Sequence, residues 1–554
     1  MKTSIKTAIL FIIIALFSIN YAQVQSWASV YTGLFTSSEE YSYSIALDGD
    51  GNVYVTGLSD NKIATIKYNA SGVQQWVSSY GSGSAGDNIG NSIVTFTDDN
   101  GTYIYVTGQF KTTDHGLDYI TIKYNTDGSY GWSNPVVRTY NGSGNSDDIA
   151  KSIDVDVSGN VYITGQSVGD ETDDYYATIK YNSSGVQQWV SRYDGPVSSA
   201  DYATKLKAYG GLVFVSGMSI GSTAAFDFDF ATICYDASNG STFGDWENTG
   251  FGVGVRRFAG PSYDWDGAND LVVNYLGLYV AGVSEFDFQS NDPAPYFTVI
   301  KYNPGNGNEE WVNNDYSGFG NGVAIFRIIG SGNSPVAYND IFVTGEGPNG
   351  GLTQKYDDDN GSRLSYITYS GAYFSSITTD AYENVYVAGL NGSYDALTVS
   401  YLSDLSDQNW ECTYTNDASS QLFGIQVDNA GNTYVTGNVS STTSYHNYLT
   451  IKYIPEGDNL FFTTLEPLKF NLSQNFPNPF NPVTRINYSI PNNSYVVISV
   501  YNILGELVST LVNEYKSSGS YELKFDGSNL SSGIYIYTIK SGMNFETKKM
   551  LLIK

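Results

Sequence analysis

The five residues Val53-Tyr54-Val55-Thr56-Gly57 recur in related form eight times along a chain of 554 residues. The glycines that end these copies are at positions 57, 108, 165, 217, 282, 345, 389 and 437. Each copy is followed by a run similar to Thr65-Ile66-Lys67-Tyr68. A third mark is a tryptophan at 27, 76, 132, 189, 246, 311 and 410, with Leu364 in the remaining position. Repeats of this length indicate one supersecondary unit that stacks against its own copies.

Each repeat contains four short runs of β-branched and aromatic residues, which are typical of strands. In the first repeat they cover residues 44–48, 52–57, 64–69 and 74–80. Gly49-Asp50-Gly51 joins the first two runs and Ala70-Ser71-Gly72 joins the last two, as in β-hairpins. Val53-Tyr54-Val55 does not alternate with polar residues, which indicates a strand buried on both faces. Four-stranded antiparallel units of this kind predict an all-β fold, a β-propeller.

The first and last repeats are each incomplete, and the missing parts complement each other. The tryptophan run is predicted to be the outer, fourth strand of its repeat, but the eighth repeat (residues 423–453) has none after it. Residues 26–31, in contrast, form a tryptophan run with no repeat before it. We therefore expect an eight-bladed propeller over residues 23–454, closed by the N-terminal strand, which completes the last blade and removes an exposed sheet edge. Seven closed blades with one degenerate repeat is the alternative.

The composition argues against several classes of function. There are 27 Lys+Arg and 56 Asp+Glu, and a formal charge of −29 disfavours nucleic acid as a partner, because such binding begins by neutralising phosphates. Two cysteines are too few for a disulfide scaffold, and two histidines leave little for zinc or histidine-based chemistry. Residues 467–554 alone carry eight Lys+Arg and five Asp+Glu, so the acidic excess lies in the repeats.

The N-terminus has the pattern of a secretory signal. Lys2 and Lys6 precede an apolar run over residues 8–17, which is half the length of about 20 residues that a membrane-spanning helix needs. With the small residue Ala22 after it, this pattern predicts a cleaved signal peptide over residues 1–22; a retained membrane anchor is the alternative. No later segment is apolar enough to cross a bilayer, so we expect no integral membrane segment after cleavage.

Three repeats carry a longer pattern, D-x-x-G-N-x-Y-V-T-G or a close variant, over residues 48–57, 156–165 and 428–437. This pattern resembles the bacterial β-propeller repeat family, abbreviated SBBP. The resemblance covers residues 26–454. It implies an exported propeller and no single activity.

A second domain follows the repeats. Residues 455–467 are predicted to be a linker, and residues 475–482 are rich in Asn and Pro. Short strand-like runs then alternate with Gly, Asn and Ser over residues 468–554, which predicts a small Ig-like β-sandwich.

The elements of this tail resemble the type A C-terminal sorting domain of the type IX secretion system. They are, in the family's order, the Asn-Pro opening, residues 501–508, residues 533–537 and the ending Lys548-Lys549-Met550-Leu551-Leu552. The resemblance implies passage through the periplasm, recognition by the outer-membrane translocon, and secretion or attachment at the cell surface. An ordinary structural sandwich is the alternative.

Patterns that suggest catalysis have simpler interpretations here. Gly-x-Ser-x-Gly occurs at residues 165–169 and 217–221, but at the same place in adjacent repeats and without the following helix that a hydrolase requires. His115 and His446 belong to repeats two and eight, which are not neighbours, and Cys234 and Cys412 are likewise too far apart for a disulfide. Residues 48–52 lack the length and the distal glutamate of a calcium loop. No cofactor is predicted, with calcium an open alternative.

The connections between the second and third strands, and those between repeats, are predicted to be long and to share one face. The hairpins within each repeat are predicted to be short throughout. Function tends to lie on loops that a rigid scaffold holds, so this face is the candidate for binding. Its most conspicuous stretch is Tyr263-Asp264-Trp265-Asp266, within the predicted connection 248–269, with Phe228-Asp229 and Phe286-Asp287 nearby. Aromatic rings beside carboxylates can stack on a sugar and accept its hydroxyl hydrogens, or hold a cation. Alternatively, they pack the loops against the scaffold.

These observations predict an exported, non-catalytic propeller that binds a protein, glycan or surface component on the long-loop face. Two alternatives stay open. One is a polysaccharide hydrolase or lyase that uses loop carboxylates, and it requires a carboxylate pair about 5–10 Å apart. The other is a structural component of a surface layer.

Overall fold

The computed structural model describes residues 23–554 except 34–38, 82–87, 113, 115, 134, 170–172, 198, 223–226, 247–249, 251, 261–264, 287–295, 330–336, 381–383, 416–418, 441–444, 456–469, 476, 491–493, 517–518 and 542–543. The predicted signal peptide, residues 1–22, and nearly all of the predicted linker therefore lie outside the described residues. The regular elements of the described part are all β-strands. The chain divides into two compact units, residues 1–456 and 457–554.

The first strand, β1 (Gln23–Tyr31), belongs to the last sheet of the first unit. Sheets 1 to 4 come next, each with its strands in chain order. Their strands are β2 (Tyr41–Leu47), β3 (Val53–Ser59), β4 (Lys62–Tyr68) and β5 (Gln74–Tyr80); β6 (Ile89–Asp98), β7 (Gly101–Lys111), β8 (Leu117–Asn125) and β9 (Val137–Tyr140); β10 (Ile149–Val155), β11 (Val161–Val168), β12 (Asp174–Tyr181) and β13 (Gln187–Tyr193); and β14 (Asp201–Tyr209), β15 (Leu212–Ile220), β16 (Phe228–Asp236) and β17 (Val255–Phe258).

Sheets 5 to 8 complete the first unit, and sheet 8 takes its fourth strand from β1. Their remaining strands are β18 (Trp265–Val273), β19 (Leu278–Phe286), β20 (Tyr296–Tyr302) and β21 (Glu309–Ser317); β22 (Phe319–Ile329), β23 (Ala337–Gly347), β24 (Gly350–Asp357) and β25 (Arg363–Ser370); β26 (Tyr373–Thr379), β27 (Val385–Leu390), β28 (Ala396–Tyr401) and β29 (Gln408–Tyr414); and β30 (Ser420–Val427), β31 (Thr433–Ser440) and β32 (His446–Pro455). All pairs within these sheets are antiparallel.

The repeated motif forms the second strand of each sheet because it can be covered on both faces. Val53, Tyr54 and Val55 are fully buried, and so are the corresponding residues 161–163 and 213–215. The clusters they form cross from sheet to sheet. Tyr54 and Ile63 of sheet 1, for example, pack with Ile104 and Ile122 of sheet 2.

A β-bulge explains the glycine that ends the motif. In every sheet of the first unit, the first strand contains one extra residue beside this glycine, as between Ser42 and Ser44 opposite Gly57. A Cβ on Gly57 would overlap the backbone carbonyl oxygen of Tyr41. We call the extra residues the bulge residues; they are Tyr43, Asn91, Lys151, Thr204, Asn269, Asn321, Ser375 and Phe423.

At five junctions, one sheet is held to the next by a contact that uses the other two sequence marks. The indole N–H of Trp76 and the ammonium of Lys67 both donate to the carbonyl oxygen of Thr126 in sheet 2, over 3.0 Å in each case. We call this contact the junction clamp. The accepting residue is always the second after the tyrosine that ends the third strand. Carbonyl oxygens that accept from both side chains belong to Ala70, Thr126, Ser183, Ala237 and Asp358.

The tyrosine of the motif stabilises the lysine of the junction clamp. The Lys67 ammonium lies 5.3 Å from the centroid of the Tyr54 ring, within the range of a cation–π interaction. The Tyr54 hydroxyl donates over 2.8 Å to the Asp48 carboxylate, which also accepts from the backbone and side chain of Asn52. The recurring D-x-x-G-N-x-Y pattern therefore fixes the hairpin and the ring on which the lysine rests.

The N-terminal strand takes part in this scheme as a fourth strand. β1 pairs antiparallel with β32 over Gln23–Pro455 to Tyr31–Tyr448. Trp27 of β1 and Lys452 of β32 both donate to the carbonyl oxygen of Ala70 in sheet 1, over 3.3 Å in each case. The junction from sheet 8 to sheet 1 thus has the same clamp as four of the junctions inside the chain.

Two predictions about strand boundaries are wrong. Trp132 and Trp246 do not lie in fourth strands, because longer connections, residues 126–136 and 237–254, precede β9 and β17. The Trp132 indole still makes the junction clamp. The Trp246 indole donates to the equivalent carbonyl oxygen, that of Pro304, without a lysine, and the guanidinium of Arg256 in β17 lies 5.2 Å from its ring. The hairpins within repeats are therefore not all short. The connection between β22 and β23 is another long one, since it covers residues 330–336.

Some connections predicted to be long are short, because the flanking strands extend into them. β3 and β4 are joined by Asp60 and Asn61 alone, both with positive φ, as a two-residue hairpin turn requires. Likewise, the predicted connection 248–269 contains β17 and the start of β18.

The second unit consists of two antiparallel sheets that share one apolar core. Its strands are β33 (Asn471–Leu472), β34 (Val483–Ile490), β35 (Ser494–Tyr501), β36 (Leu507–Lys516), β37 (Gly519–Asp526), β38 (Gly533–Ser541) and β39 (Asn544–Leu552). The sheet orders are β33-β34-β37 and β36-β35-β38-β39. Ile486 and Phe525 of the first sheet pack in one cluster with Ile498 and Tyr537 of the second.

The junction clamp predicts which hairpin glycines are indispensable. Gly240 has a φ of +75°, and a Cβ there would lie 2.6 Å from the Trp189 indole. Gly211 has a φ of +84° but open space around that position. We expect Gly211→Ala to cost about 1–2 kcal/mol for the backbone alone, and Gly240→Ala to cost a further 1–3 kcal/mol, approximately, from overpacking. Urea unfolding of both variants measures the difference; equal losses would contradict the role of the indole.

Candidate functional site

The backbone brings together the three aromatic residues predicted to form a binding site. Phe228 begins β16 and pairs with Trp265, the first residue of β18, in a parallel bridge that joins sheet 4 to sheet 5. Trp265 pairs in turn with Phe286, the last residue of β19. These residues lie at strand ends, whereas the sequence predicted loops. Tyr263, Asp264 and Asp287 lie outside the described residues.

Two of the predicted carboxylates make contacts inside the protein. Asp229 is buried and accepts two hydrogen bonds from Arg257 of β17, at 2.7 and 3.1 Å. Arg257 is buried as well, and it also donates to the hydroxyls of Tyr193 and Ser219. Burial raises the pKa of Asp229, although the hydrogen bonds and charge of Arg257 oppose this shift. Asp229 therefore links strands within sheet 4 and, through Arg257, sheet 3.

Asp266 occupies a position that anchors the connection between repeats. It is 1% exposed, and its carboxylate accepts from the backbone N–H of Gly260, six residues earlier. Asp148 and Asp201 hold Gly142 and Gly195 in the same way, over 2.6 and 2.7 Å. These three acids share one position, three residues before the bulge residue. Their recurrence indicates that this position holds loop backbone in place.

Burial strongly affects the pKa of Asp201. Desolvation raises it to about 7, while hydrogen bonds from Ser219 and Gly195 act in the opposite direction. Phe228 of the predicted site is buried nearby, with its ring centroid 6.0 Å from that of Tyr202.

The other residues that the sequence suggested for catalysis, where the structure describes them, contact neighbouring side chains or are buried in strands. His446 Nδ1 lies 2.8 Å from the Glu39 carboxylate and 2.9 Å from the Tyr41 hydroxyl, between sheets 8 and 1. Burial raises the pKa of Tyr41 to about 12. His115 lies outside the described residues. Ser167 and Ser219, the central serines of the two Gly-x-Ser-x-Gly matches, are buried within strands.

Both cysteines are free thiols, Cys234 buried and Cys412 half-buried. Desolvation raises the pKa of Cys412 to about 11 and that of Cys234 further. Neither thiol has the lowered pKa of a reactive cysteine.

Two cavities that the sequence did not predict are lined by bulge residues. A cavity of about 360 Å³ is lined by Tyr43, Asn91, Lys151 and Thr204 of sheets 1 to 4, with Gln166, Tyr202, Ala203 and Met218. A second, of about 400 Å³, is lined by Asn321 and Ser375 with Glu346, Tyr373, Phe374, Leu390, Tyr394 and Gln421. Bulge residues of successive sheets thus line the same cavity in each case. We call the two cavities together the central channel.

A repeated hydrogen bond runs around the central channel. Asn91 donates to the carbonyl oxygen of Ala150 in the next sheet, over 2.8 Å. Four other bulge residues donate to the corresponding oxygen of the following sheet; they are Thr204, Asn269, Asn321 and Ser375. A sequence signal does exist for this position, since the bulge residue stands two residues before an aliphatic residue such as Ile45 or Ile153.

The described residues contain neither a metal-binding cluster nor a membrane-spanning helix. The part of the chain that the structure describes has no group of three or more His, Cys, Asp or Glu residues placed to hold a metal ion. Nor do these residues include a helix of the length and apolarity needed to span a membrane.

Comparison with protein families identifies two parts of the chain. Residues 30–63 match the model of the SBBP family, described as a beta-propeller repeat. Residues 474–554 match the model described as a secretion system C-terminal sorting domain. The chain carries an SBBP repeat and a type IX sorting domain. Both resemblances drawn from the sequence are thereby confirmed.

The sorting domain determines where the protein goes. It indicates export across the outer membrane to the cell surface or the medium, as predicted, and interaction with the secretion machinery. The molecule is therefore a secreted β-propeller protein.

Comparison with solved structures returns propellers of low sequence identity. One is the Pan2 WD40 domain of Neurospora crassa, with 8% identity, a TM-score of 0.41, and coverage of 80% of this chain and 98% of that one. Another is Sqt1 of Chaetomium thermophilum bound to the N-terminus of ribosomal protein L10, with 9% identity, a TM-score of 0.46, and coverage of 77% of this chain and 100% of that one. A third is the polysaccharide lyase Uly1, with 11% identity, a TM-score of 0.41, and coverage of 79% of this chain and 99% of that one. Similarity at this level concerns the fold alone. A comparison with curated protein sequences gives no match.

The raised pKa of Asp201 predicts a pH dependence of stability. Between about pH 4, where the unfolded carboxyl ionises, and about pH 7, the folded protein binds a proton that the unfolded chain has lost. The free energy of unfolding should therefore fall as pH rises through this window. Asp201→Asn, which imitates the protonated acid, should reduce the fall by more than about 1 kcal/mol, as measured by urea unfolding at several pH values.

Asp50→Asn, in an exposed hairpin turn, is the matched control and should leave the pH dependence unchanged. An identical pH profile for Asp201→Asn and the unaltered protein would contradict the shift.

Proposed function

We propose that this protein is an exported, non-catalytic binding protein, and that its ligand is a protein, glycan or surface component held at the long-loop end of the central channel. In this proposal residues 1–22 are the cleaved signal, residues 23–454 form a closed eight-bladed propeller, residues 455–467 are a linker, and residues 468–554 are an Ig-like sorting domain. The sorting domain delivers the propeller, and the propeller binds.

The closed ring is supported by the contacts at its ends. The pairing of β1 with β32 gives sheet 8 a fourth strand, and β2 of sheet 1 packs against β30 and β31. The clamp of Trp27 and Lys452 on Ala70 repeats the geometry of the other junctions. Pairing with β1 covers the edge of β32 that would otherwise be left unpaired in sheet 8.

The binding role is supported chiefly by the bulge residues. Their backbone is the same in each sheet, whereas their side chains range from aromatic to amide, hydroxyl and ammonium. The two cavities that they line extend to Tyr202 and Tyr373, which begin or nearly begin first strands, and to Gln166 and Leu390 near the ends of second strands. Variable side chains on a rigid, repeated scaffold are the usual basis of recognition.

Binding is favoured over polysaccharide hydrolysis by the state of the carboxylates. Asp229 and Asp266 are the described acids of the predicted site; both are buried, and one oxygen of each accepts hydrogen bonds from inside the protein, from Arg257 and Gly260. A retaining or inverting hydrolase needs two carboxyl groups that both face the substrate. The backbone pairing that brings Phe228, Trp265 and Phe286 together is retained in the proposal as an extension of the binding surface.

Closure of the ring predicts that Trp27 is as important as a tryptophan inside the chain. We expect Trp27→Ala and Trp76→Ala to lower the stability of the exported protein by a similar amount, about 3–5 kcal/mol for loss of a large aromatic side chain from a packed site. Thermal unfolding compares the two variants. A near-normal melting temperature for Trp27→Ala beside a low one for Trp76→Ala would show that β1 is dispensable and the ring open.

The proposed binding site predicts that channel variants lose ligand. The exported protein is applied to an array that carries glycans and peptides, beside the variants Tyr202→Ala and Trp265→Ala. The control is Tyr366→Ala, because Tyr366 is half exposed on the outer strand β25. Binding that falls in the first two variants and persists in the control supports the proposal. Binding that is equal in all four proteins would place the ligand elsewhere.

A further inference from the structure

Lys151 is the only charged residue among the eight bulge residues. Asn91, Thr204, Asn269, Asn321 and Ser375 use their side chains to bridge to the next sheet. Lys151 makes no hydrogen bond or ion pair with any residue that the structure describes, and Ala203, whose carbonyl oxygen is the corresponding acceptor, lines the same cavity. Its ammonium is therefore not used by the scaffold.

The surroundings of Lys151 distinguish it from a surface lysine. Its side chain is accessible to solvent, yet enough protein surrounds it for desolvation to lower its pKa, as in a channel. Asp or Glu is not found among the residues that line its cavity. Lysines deeper in the first strands differ in this respect, since Lys205 lies 3.0 Å from Asp270 and Lys207 lies 3.6 Å from Asp154.

The rest of the cavity is suited to a single ring-shaped group. It is lined by two tyrosines, Tyr43 and Tyr202, by the amides of Asn91 and Gln166, and by Met218. A volume of about 360 Å³ is at the lower end of the range for small-molecule sites and too small for a folded partner. Aromatic rings with a few polar groups are a common way of holding a compact polar ligand by its flat faces.

From this arrangement we propose that Lys151 binds the carboxylate of an acidic sugar residue that enters the central channel. The proposal rests on the proposed binding function and names its ligand class. A charge-assisted hydrogen bond from the ammonium fixes the carboxylate, while Tyr43, Tyr202 and the two amides contact the ring and its hydroxyls. The chain has a strong net negative charge, which repels anions. The Lys151 ammonium therefore attracts an anionic ligand to this cavity in particular.

The test uses an array of uronate-containing oligosaccharides, each printed beside its carboxyl-reduced counterpart, with acidic peptides on the same surface. The exported protein is expected to bind the acidic form at least about tenfold more tightly than the reduced form, the factor that one charge-assisted hydrogen bond provides. Lys151→Met should abolish this preference. Because Lys151 has no partner in the described structure, the variant should keep its melting temperature.

Lys111→Met is the matched control. Lys111 is an exposed lysine at the end of β7 and does not line the cavity. This variant should keep the preference for the acidic form.

Three results would overturn the inference: equal binding of acidic and reduced sugars, an unchanged preference in Lys151→Met, or binding of acidic peptides alone. If Tyr202→Ala loses binding while Lys151→Met does not, the proposed function stands and only the ligand class fails. If no array ligand depends on Tyr202, the proposed function fails with it.

Discussion

One backbone carbonyl per hairpin carries the contact on which the first unit depends. In Thr126 this oxygen accepts from an indole and an ammonium of the preceding sheet. At most of these junctions the lysine is buried and has no carboxylate partner. Burying an unpaired charge costs free energy unless other groups compensate the charge. The carbonyl oxygen and the face of the motif tyrosine satisfy it together. Sheets are thus joined by neutral acceptors, in agreement with the low content of charged residues, 15%.

The strands could be predicted well from the sequence because burial on both faces leaves a local signature. In the first repeat, predicted and observed strand ends differ by no more than three residues. The errors concern Trp132 and Trp246, because the indole is constrained by its contact with the next sheet and not by membership of a strand. An insertion before the fourth strand can therefore move the tryptophan into a connection and leave the contact intact. The bulges were missed since one extra residue per strand leaves the hydrophobic pattern almost unchanged.

The binding residues were harder to predict, because the role of a polar side chain depends on distant partners. Asp229 and Asp266 lie beside aromatic residues in the sequence, a pattern typical of a ligand site, yet in the structure they accept hydrogen bonds from Arg257 and Gly260. The pairing of Phe228 with Trp265 and Phe286 was anticipated only as proximity. Lys151 had no distinguishing neighbours in the sequence. Its importance emerges only when its position is compared with the same position in the other sheets.

The exception at sheet 6 has a consequence for how such chains evolve. Leu364 replaces the tryptophan there, and the hairpin position of sheet 7 that would receive the indole holds Leu405, with a φ of +56°, in place of glycine. Leu405 is buried with Phe342 of sheet 6, so a leucine fills the volume that an indole would need. The inherited module is accordingly an interface, made of the end of one repeat and the hairpin of its successor. Recombination between these two halves would place an indole against a leucine that fills the same volume. Gene duplications that preserve the fold should therefore have their boundaries elsewhere.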